Sequence, residues 1–430
     1  MTRRSELWRA LGGALLVSTL LGCGSTVDSL GSDPETPSTL HKVSLPASYP
    51  NTFKSLLGKS DSEISNKVND AFDQLFGDVA SQRIYLPDQY PDQPGGKQAA
   101  ILDVFHGNAR TEGMGLGMLI AVELADQDSA RKQDIFDQLW SYAKAQMLQK
   151  SGPARGYFSS HCGEGPQGDK GTECLDPYGM QQFVLALIFA HNLWGSSATQ
   201  PYARDALALL DALQNKSAQN EGMATNIVST FDPTTHLVRE EPTLAAAGYT
   251  RSSLEMPASY ELWAQATGDT FWSDAADAAR THLVDAADAT TGLWPIRSYF
   301  DASPVQDAPA PAYTGQAYRT QLNLAMDALW GTATADETAV ADRVLGFFAA
   351  QTSDPYAGTF TLDGTPIDTN PSQALIAVNG ALAVASSRAD RKAFVNAVWA
   401  QAIPSDEHRY YDGLLYLMSL LVLSGQLRVH

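Results

Sequence analysis

The segment LLYLMSLLVL at residues 414–423 decides the fold class, because a helix of this sequence is apolar on every side. Residues 183–190, FVLALIFA, have the same character. Residues 133–148 differ, since their apolar side chains, among them Ile135, Phe136 and Leu139, fall on one helical stripe. A mixture of fully buried and half-buried helices predicts two layers of helices. Segment 414–423 has about half of the ~20 residues that a helix needs to cross a bilayer. We therefore expect it to lie in the core of the protein.

Helical patterns recur to the end of the chain, and few stretches indicate strands. Twelve segments are predicted to be helical: 62–76, 112–124, 133–148, 180–194, 201–214, 256–267, 271–288, 316–330, 336–351, 373–387, 390–401 and 411–424. Twelve helices in two layers indicate an all-α (α/α)6 barrel. We expect one domain over residues 51–430, with its site in the funnel that the loops form at one end.

Residues 1–22 are predicted to be an export signal rather than part of the fold. A basic start precedes the apolar run 11–21, which is too short to span a bilayer. The run ends in Leu-Leu-Gly-Cys23, which resembles the sequence at which bacterial lipoproteins are cleaved and lipidated on the cysteine. The alternative is an ordinary signal peptide with an incidental cysteine. Residues 23–50, rich in Ser, Thr and Pro, indicate a tether to the membrane, on its periplasmic or cell-surface side.

The two remaining cysteines, Cys162 and Cys174, flank a Gly-rich loop. Because an exported protein meets an oxidising compartment, we expect them to form a disulfide. His161 beside Cys162 offers the alternative of a thiol nucleophile, but two cysteines around one loop are more simply explained as a cross-link.

The formal net charge of -19 narrows the class of ligand. Nucleic acids and anionic lipids need concentrated Lys and Arg, which this chain lacks. A neutral ligand such as a glycan suits the acidic balance, and we expect a monomer. No metal-binding or cofactor motif is present, so no cofactor is predicted.

Four stretches resemble, in order and at matching spacing, the glycoside hydrolases of family 8. The sharpest is RTEGMGLGM at residues 110–118, which is similar to the family's segment for the general acid. Residues 183–195, 260–272 and 410–425 are similar to helices of the family, the second of them to its oligoxylanase-like branch. The resemblance covers roughly residues 60–430. It implies a glycosidase that inverts the anomeric centre.

The resemblance implies that Glu112 is the general acid. The local sequence supports this role. Apolar neighbours within residues 113–118 would raise the pKa of a carboxyl group at the start of a helix. The glycines in the same stretch would leave room for a sugar. The alternative is a Glu favoured by the helix dipole, with glycines for close helix packing. The glycine run is not interpreted as a nucleotide-binding loop, because no strand is predicted before it.

Two positions depart from the family pattern. The family's second acidic motif has Asp where this chain has Tyr178, and the base of the oligoxylanase-like branch aligns with Gln316. An amide cannot accept the proton of the attacking water. We therefore predict that Asp176 replaces the base. Asp301 and Asp307 are the alternatives.

Several further residues are predicted to contact the substrate. Gln316 and Arg319 keep a positioning role, since an amide holds a water or hydroxyl and a guanidinium orients a carboxylate. Four tyrosines are candidates because their rings stack on sugar C–H surfaces: Tyr157, Tyr178, Tyr318 and Tyr411. Trp140, Trp263, Trp272 and Trp330 lie on helical stripes and are expected to pack in the core.

These observations predict an inverting hydrolase of a β-1,4-linked, xylan-like or cellulose-like glycan. The first alternative is a glycan-binding lipoprotein that has lost its chemistry, for which the amide at Gln316 is the best argument. The second is a polysaccharide lyase on a similar helical barrel.

Overall fold

The computed structural model describes residues 39–43, 49–89, 97–160, 174–306, 311–352 and 355–430. Thirteen α-helices lie in this part of the chain: α1 Thr52–Leu57, α2 Asp61–Phe76, α3 Thr111–Glu123, α4 Ser129–Tyr142, α5 Pro177–Trp194, α6 Tyr202–Gln219, α7 Pro257–Thr267, α8 Thr270–Asp285, α9 Tyr318–Leu329, α10 Ala335–Ala349, α11 Gln373–Leu382, α12 Lys392–Ala400 and α13 Arg409–Ser424.

Seven short strands lie between the helices. They are β1 Tyr85–Gln89, β2 Gln98–Asp103, β3 Asn108–Ala109, β4 Tyr249–Thr250, β5 Ser298–Tyr299, β6 Ala312–Tyr313 and β7 Phe360–Thr361. All pairings are antiparallel: β1, β2 and β3 form one sheet, and β4–β5 and β6–β7 are two-stranded.

Six alternate helices form a closed inner ring. Each of α3, α5, α7, α9 and α11 contacts the next, and α13 returns to α3. The outer helices α4, α6, α8, α10 and α12 each pack on the inner helix that precedes them, and α2 packs on α13. The predicted all-α (α/α)6 barrel is therefore confirmed.

Burial follows the two sequence patterns. In α13, every residue from Gly413 to Ser424 is buried, and in α5 every residue from Pro177 to Ala190 is buried. The outer helix α2 buries one stripe, which includes Ile64, Val68 and Leu75. The fully apolar segments are thus inner helices, and the single-stripe segments are outer ones. Trp140, Trp263, Trp272 and Trp330 are all buried in the core, as predicted.

All twelve predicted helices are present, with shifted ends, and α1 is an additional one. Its six residues are too few to show a helical period. The expectation that no strand precedes the glycine run is wrong, because β2 and β3 form a hairpin just before α3. The strand next to α3 is β3, whose two residues show no alternation that a sequence could reveal. The hairpin is antiparallel, so it does not create a nucleotide-binding βαβ unit.

The glycines at the start of α3 provide close packing. A Cβ atom at Gly113 would lie 2.4 Å from Cε2 of Tyr410, and one at Gly115 would lie 2.6 Å from Cβ of Gln182. Neighbouring side chains already fill the space that the sequence interpretation left for a sugar. That interpretation is wrong, and close packing of α3 against α5 and α13 is the role that the structure shows.

The described residues that precede α1 contact the barrel at the end where the inner helices terminate. The amide of His41 donates to the carbonyl of Ala266 in the last turn of α7 (2.8 Å), and the amide of Val429, after α13, donates to the hydroxyl of Tyr49 (3.0 Å). The predicted tether therefore packs on the barrel over its described residues. No helix in the described part of the chain combines the length and apolarity that a membrane span needs.

Candidate active site

A groove of about 860 Å³ opens at the end of the barrel where the inner helices begin. It is lined by residues from their first turns or caps, among them Glu112 of α3, Asp176 before α5, Arg319 of α9 and Tyr411 of α13. The groove lies at one end of the barrel, as the sequence predicted. Among the residues that the structure describes, no cluster of three or more His, Cys, Asp or Glu could hold a metal ion.

Glu112 is the second residue of α3, and its side chain is 14% exposed, toward the groove. Burial raises the pKa of Glu112, the Arg319 guanidinium lowers it, and the negative charge of Asp176 raises it again. Burial has the largest effect, so the pKa lies above the ordinary value of a Glu. A raised pKa favours the protonated form of the carboxyl group, which is the form that a general acid needs.

Arg319 holds the Glu112 carboxylate in place. Its Nη1 donates to Oε1 of Glu112, and its guanidinium carbon lies 4.1 Å from the ring centroid of Tyr178. Tyr178 is fully buried, so its ring supports the cation from behind. The three residues form a stack that fixes the direction of the acid.

Asp176 occupies the N-cap of α5. Its Oδ1 accepts a hydrogen bond from the amide of Tyr178 (3.1 Å), and its Oδ2 accepts from the hydroxyl of Thr111 (2.8 Å) and the amide of Gly179 (3.4 Å). Thr111 precedes Glu112, so this contact joins the start of α5 to the wall that carries the acid. The carboxylate also lines the groove.

Gln316 belongs to a charged network on another part of the groove. Arg251 donates from Nη1 to Oε1 of Gln316 (2.8 Å) and from Nε to Oε1 of Glu240 (2.7 Å). The second oxygen of Glu240 lies 2.6 Å from Nε of Arg297. The Gln316 amide oxygen is thereby occupied, and both oxygens of Glu240 are paired with arginines.

Glu241 lies in the groove wall beside this network. Burial, followed by the charge of Glu240, raises the pKa of Glu241. The hydrogen bonds found among the described residues leave its carboxylate without a donor. Glu241 is therefore a carboxylate that a water in the groove could approach.

The β2–β3 hairpin forms the wall next to Glu112. Asp103 Oδ2 lies 2.7 Å from Nδ1 of His106 and accepts from Nε of Arg110 (2.9 Å). Phe105, at the turn, and His408, before α13, line the groove rim.

Comparison with known proteins identifies the family. The sequence pattern of "Glycosyl hydrolases family 8" matches residues 103–425, more than half of the chain. The chain belongs to glycosyl hydrolase family 8. It is similar to the reducing end xylose-releasing exo-oligoxylanase of Halalkalibacterium halodurans, with 30% identity over 89% of this chain and 94% of that protein. It is also similar to endoglucanase A of Acetivibrio thermocellus, with 26% identity over 73% and 61%.

Solved structures of family 8 agree. A crystal structure of a reducing end xylose-releasing exo-oligoxylanase superposes with a TM-score of 0.77 at 29% identity, over 89% of this chain and 96% of the other. Family membership, with enzymes as relatives, makes this chain an O-glycosyl hydrolase. The alternative of an inactive binding protein is not supported, and a hydrolase family does not favour a lyase.

The structure divides the residues predicted for this family 8 site into two groups. The groove is lined by Glu112, Asp176, Gln316, Tyr318, Arg319 and Tyr411. Tyr157 is fully buried and donates to the carbonyl of Val228 (2.9 Å), and Tyr178 lies behind Arg319. Both are core residues, so their prediction as sugar contacts is wrong. A tyrosine in an apolar segment looks the same in sequence whether it lines a groove or a core.

Of the two alternative bases, Asp301 and Asp307, the structure describes only Asp301. Asp301 is exposed, accepts from the amide and hydroxyl of Ser303, and is not part of the groove wall, so it is excluded as a base. Asp307 lies outside the described residues. Cys162 does too, and the pairing with Cys174 therefore stays a prediction.

Several groove residues were not predicted. Glu240, Glu241 and Arg251 come from loops whose approach to Gln316 only the fold creates. Tyr410 and Asp412 belong to the segment 410–425 that resembles the family, but neither was predicted as a site residue. Burial raises the pKa of Asp412 to about 6, and this carboxylate accepts a hydrogen bond from the amide of Ala374 (3.1 Å).

Replacing Arg319 by Gln should move the alkaline limb of the pH–activity profile of this family 8 enzyme to higher pH. The guanidinium opposes the effect of burial, so its loss raises the pKa of Glu112 further. A general acid works while protonated, and activity is then lost at a higher pH. The measurement is kcat across the pH range. Arg319→Lys, which keeps the charge, is the control, and a limb that stays in place in Arg319→Gln would contradict this electrostatic role.

Proposed function

We propose that the chain hydrolyses β-1,4-linked, xylan-like or cellulose-like glycans with inversion, using Glu112 as the general acid. The observation that carries this proposal is a partly buried carboxyl with a raised pKa, held by Arg319 in the groove of a family 8 barrel. The relatives are named for release of xylose from oligoxylans and for cleavage of glucans, and both names support this class of substrate.

The mechanism needs one proton donor and one proton acceptor. Glu112 gives its proton to the glycosidic oxygen as the bond to the anomeric carbon breaks. A water attacks that carbon from the opposite face and gives a proton to the base. Inversion requires the two carboxyl groups to be about 6.5–9.5 Å apart, so that the water fits between base and sugar.

Four groove residues complete the proposed sugar site: Gln316, Tyr318, Arg319 and Tyr411. The hydroxyl of Tyr318 donates to the carbonyl of Gly358, and that of Tyr411 donates to the carbonyl of Gly315. Because its hydroxyl is occupied, the half-buried Tyr411 offers its ring to a sugar, whereas Tyr318 is buried and supports the groove wall. The amide nitrogen of Gln316 remains to hold a hydroxyl or the water.

Glu112→Gln should lower kcat by about 10²–10⁴-fold, because the amide has no proton to give to the leaving oxygen. Affinity for xylohexaose or cellohexaose should remain, since shape and polarity are kept. Product analysis and titration calorimetry measure the two effects. Glu407→Gln, an exposed carboxylate at the rim of the same groove, is the matched control. Full activity in Glu112→Gln would remove Glu112 from the mechanism.

We propose Asp176 as the base. It lines the groove, and three hydrogen bonds fix its position. Each carboxylate oxygen has two lone pairs, and Oδ1 accepts only one of these bonds, so it can still receive a proton from water.

Glu241 is the second candidate for the base. It lies in the groove wall near Gln316, where the resemblance places the base of the oligoxylanase-like branch, and Arg251 and Glu240 connect the two. Burial raises the pKa of Glu241, which favours its acceptance of a proton, whereas Asp176 is held in position by three hydrogen bonds.

Asp176→Asn and Glu241→Gln separate the two bases. If Asp176 is the base, its replacement lowers kcat by about 10²–10⁴-fold, while Glu241→Gln stays active. Azide should restore turnover in the variant that lost the base, because this anion attacks the anomeric carbon without giving up a proton. The expected product is the α-glycosyl azide. Rescue of Glu241→Gln, with Asp176→Asn active, would transfer the role to Glu241. Circular dichroism checks the fold, and we expect it to be kept because Asn caps a helix about as well as Asp.

We further propose that the chain is exported, lipidated at Cys23 and cross-linked between Cys162 and Cys174. Cys174 lies two residues before Asp176 in the groove wall, so the cross-link would hold that loop and contribute about 3 kcal/mol. In a bacterial host fed labelled palmitate, Cys23→Ala should lose the label. Alkylation of the purified protein should add mass at Cys162 and Cys174 only after reduction. A label retained in Cys23→Ala, or alkylation without reductant, would contradict the respective proposal.

A further inference from the structure

Phe105 is an exposed aromatic residue in the wall of the groove. It is 53% exposed, and among the large hydrophobic residues that are exposed in the described part of the chain, only Phe105 lines the groove. An apolar ring left in water forgoes the stabilisation of burial, about 25 cal/mol per Å². An aromatic ring at such a position offers a flat apolar face to whatever enters the groove.

The turn that carries Phe105 is held firmly. The carbonyl of Asp103 accepts from the amide of Gly107 (2.7 Å), and its side chain accepts from the amide of His106 (3.3 Å) as well as from Arg110. Gly107 has a φ of +69°, which closes the turn. A rigid turn presents the ring without the entropy cost of ordering a loop on binding.

Two histidines surround the ring. The His408 ring centroid lies 5.3 Å from that of Phe105, at an interplanar angle of 32°, and that of His106 lies 4.9 Å away, at 78°. His408 is 57% exposed and His106 is 33% exposed. Ring nitrogens beside an apolar face can bond hydroxyl groups while the face covers C–H groups. A pyranose ring has this combination of surfaces.

The ring and the acid both line the groove. Phe105 belongs to the β2–β3 hairpin, and Arg110, which immediately precedes α3, donates to Asp103 at the base of that hairpin. This contact connects the segment that carries the ring to the helix that carries Glu112.

We propose that Phe105, flanked by His106 and His408, binds a neutral pyranose unit of the glycan at the groove rim, beyond the unit whose bond Glu112 cleaves. The proposal rests on the proposed function for its substrate. A chain long enough to span both positions gains the stacking contact, and a shorter one does not. The site makes the enzyme select for chain length.

Phe105→Ala tests this inference with xylo- and cello-oligosaccharides from the dimer to the hexamer. We expect kcat/KM to fall by about 2- to 12-fold for the long oligomers, the range of an aromatic stacking contact, and to stay unchanged for the shortest. Phe105→Trp should preserve the preference for long chains. Val79→Ala, which shortens an exposed apolar residue away from the groove, should change neither.

A measurement of binding tests the Phe105 site without relying on hydrolysis. In the Glu112→Gln background, calorimetry with the hexamers should show the same loss on Phe105→Ala, and no loss with the shortest oligomer bound. An equal loss of affinity for oligomers of every length, or no loss for any of them, would contradict the proposed site at Phe105. Length-dependent binding by a protein that cleaves nothing would support the site and defeat the proposed hydrolysis. Absence of binding to every oligomer would overturn both.

Discussion

The parallel direction of the six inner helices is the constraint on which the groove depends. Each inner helix returns through an outer one, so all six begin at the same end of the barrel. Unpaired amides and the positive ends of the helix dipoles collect there, and each is worth about 0.3–1 kcal/mol to a nearby anion. Asp176 and Asp412 accept from amides at the starts of α5 and α11. The ring architecture therefore gives carboxylates a stable place at the mouth of the barrel.

In this wall, two opposing effects act on the pKa of Glu112. Burial in the wall disfavours its charge, and the Arg319 guanidinium favours it. Burial has the larger effect and raises the pKa of Glu112, while the ion pair with Arg319 orients the carboxyl. The stacking of Arg319 on the buried ring of Tyr178 supports the cation that donates to the Glu112 carboxyl. An acid for protonating a glycosidic oxygen needs both a fixed direction and a proton to give.

The sequence predicts the barrel well because helix burial is periodic. Fully apolar segments became inner helices, and single-stripe segments such as residues 133–148 became outer ones. Glu112 was found from one sharp motif. Phe105 and Glu241 were not found, because each lies in a loop and enters the groove only through the tertiary arrangement. The glycine run was misread for the same reason, since the side chains that fill its space belong to α5 and α13.

The departure from the family pattern at Gln316 fits the charges around it. Gln316 stands where the resemblance expects the base, and Arg251 contacts it directly. A carboxylate at position 316 would meet this guanidinium at hydrogen-bonding distance, and the cation would lower its pKa and so weaken it as a base. Here the positive charge is instead neutralised by Glu240, which also pairs with Arg297. The amide at 316 and the arginine at 251 thus suit each other, and the bases that we propose are carboxylates elsewhere in the groove.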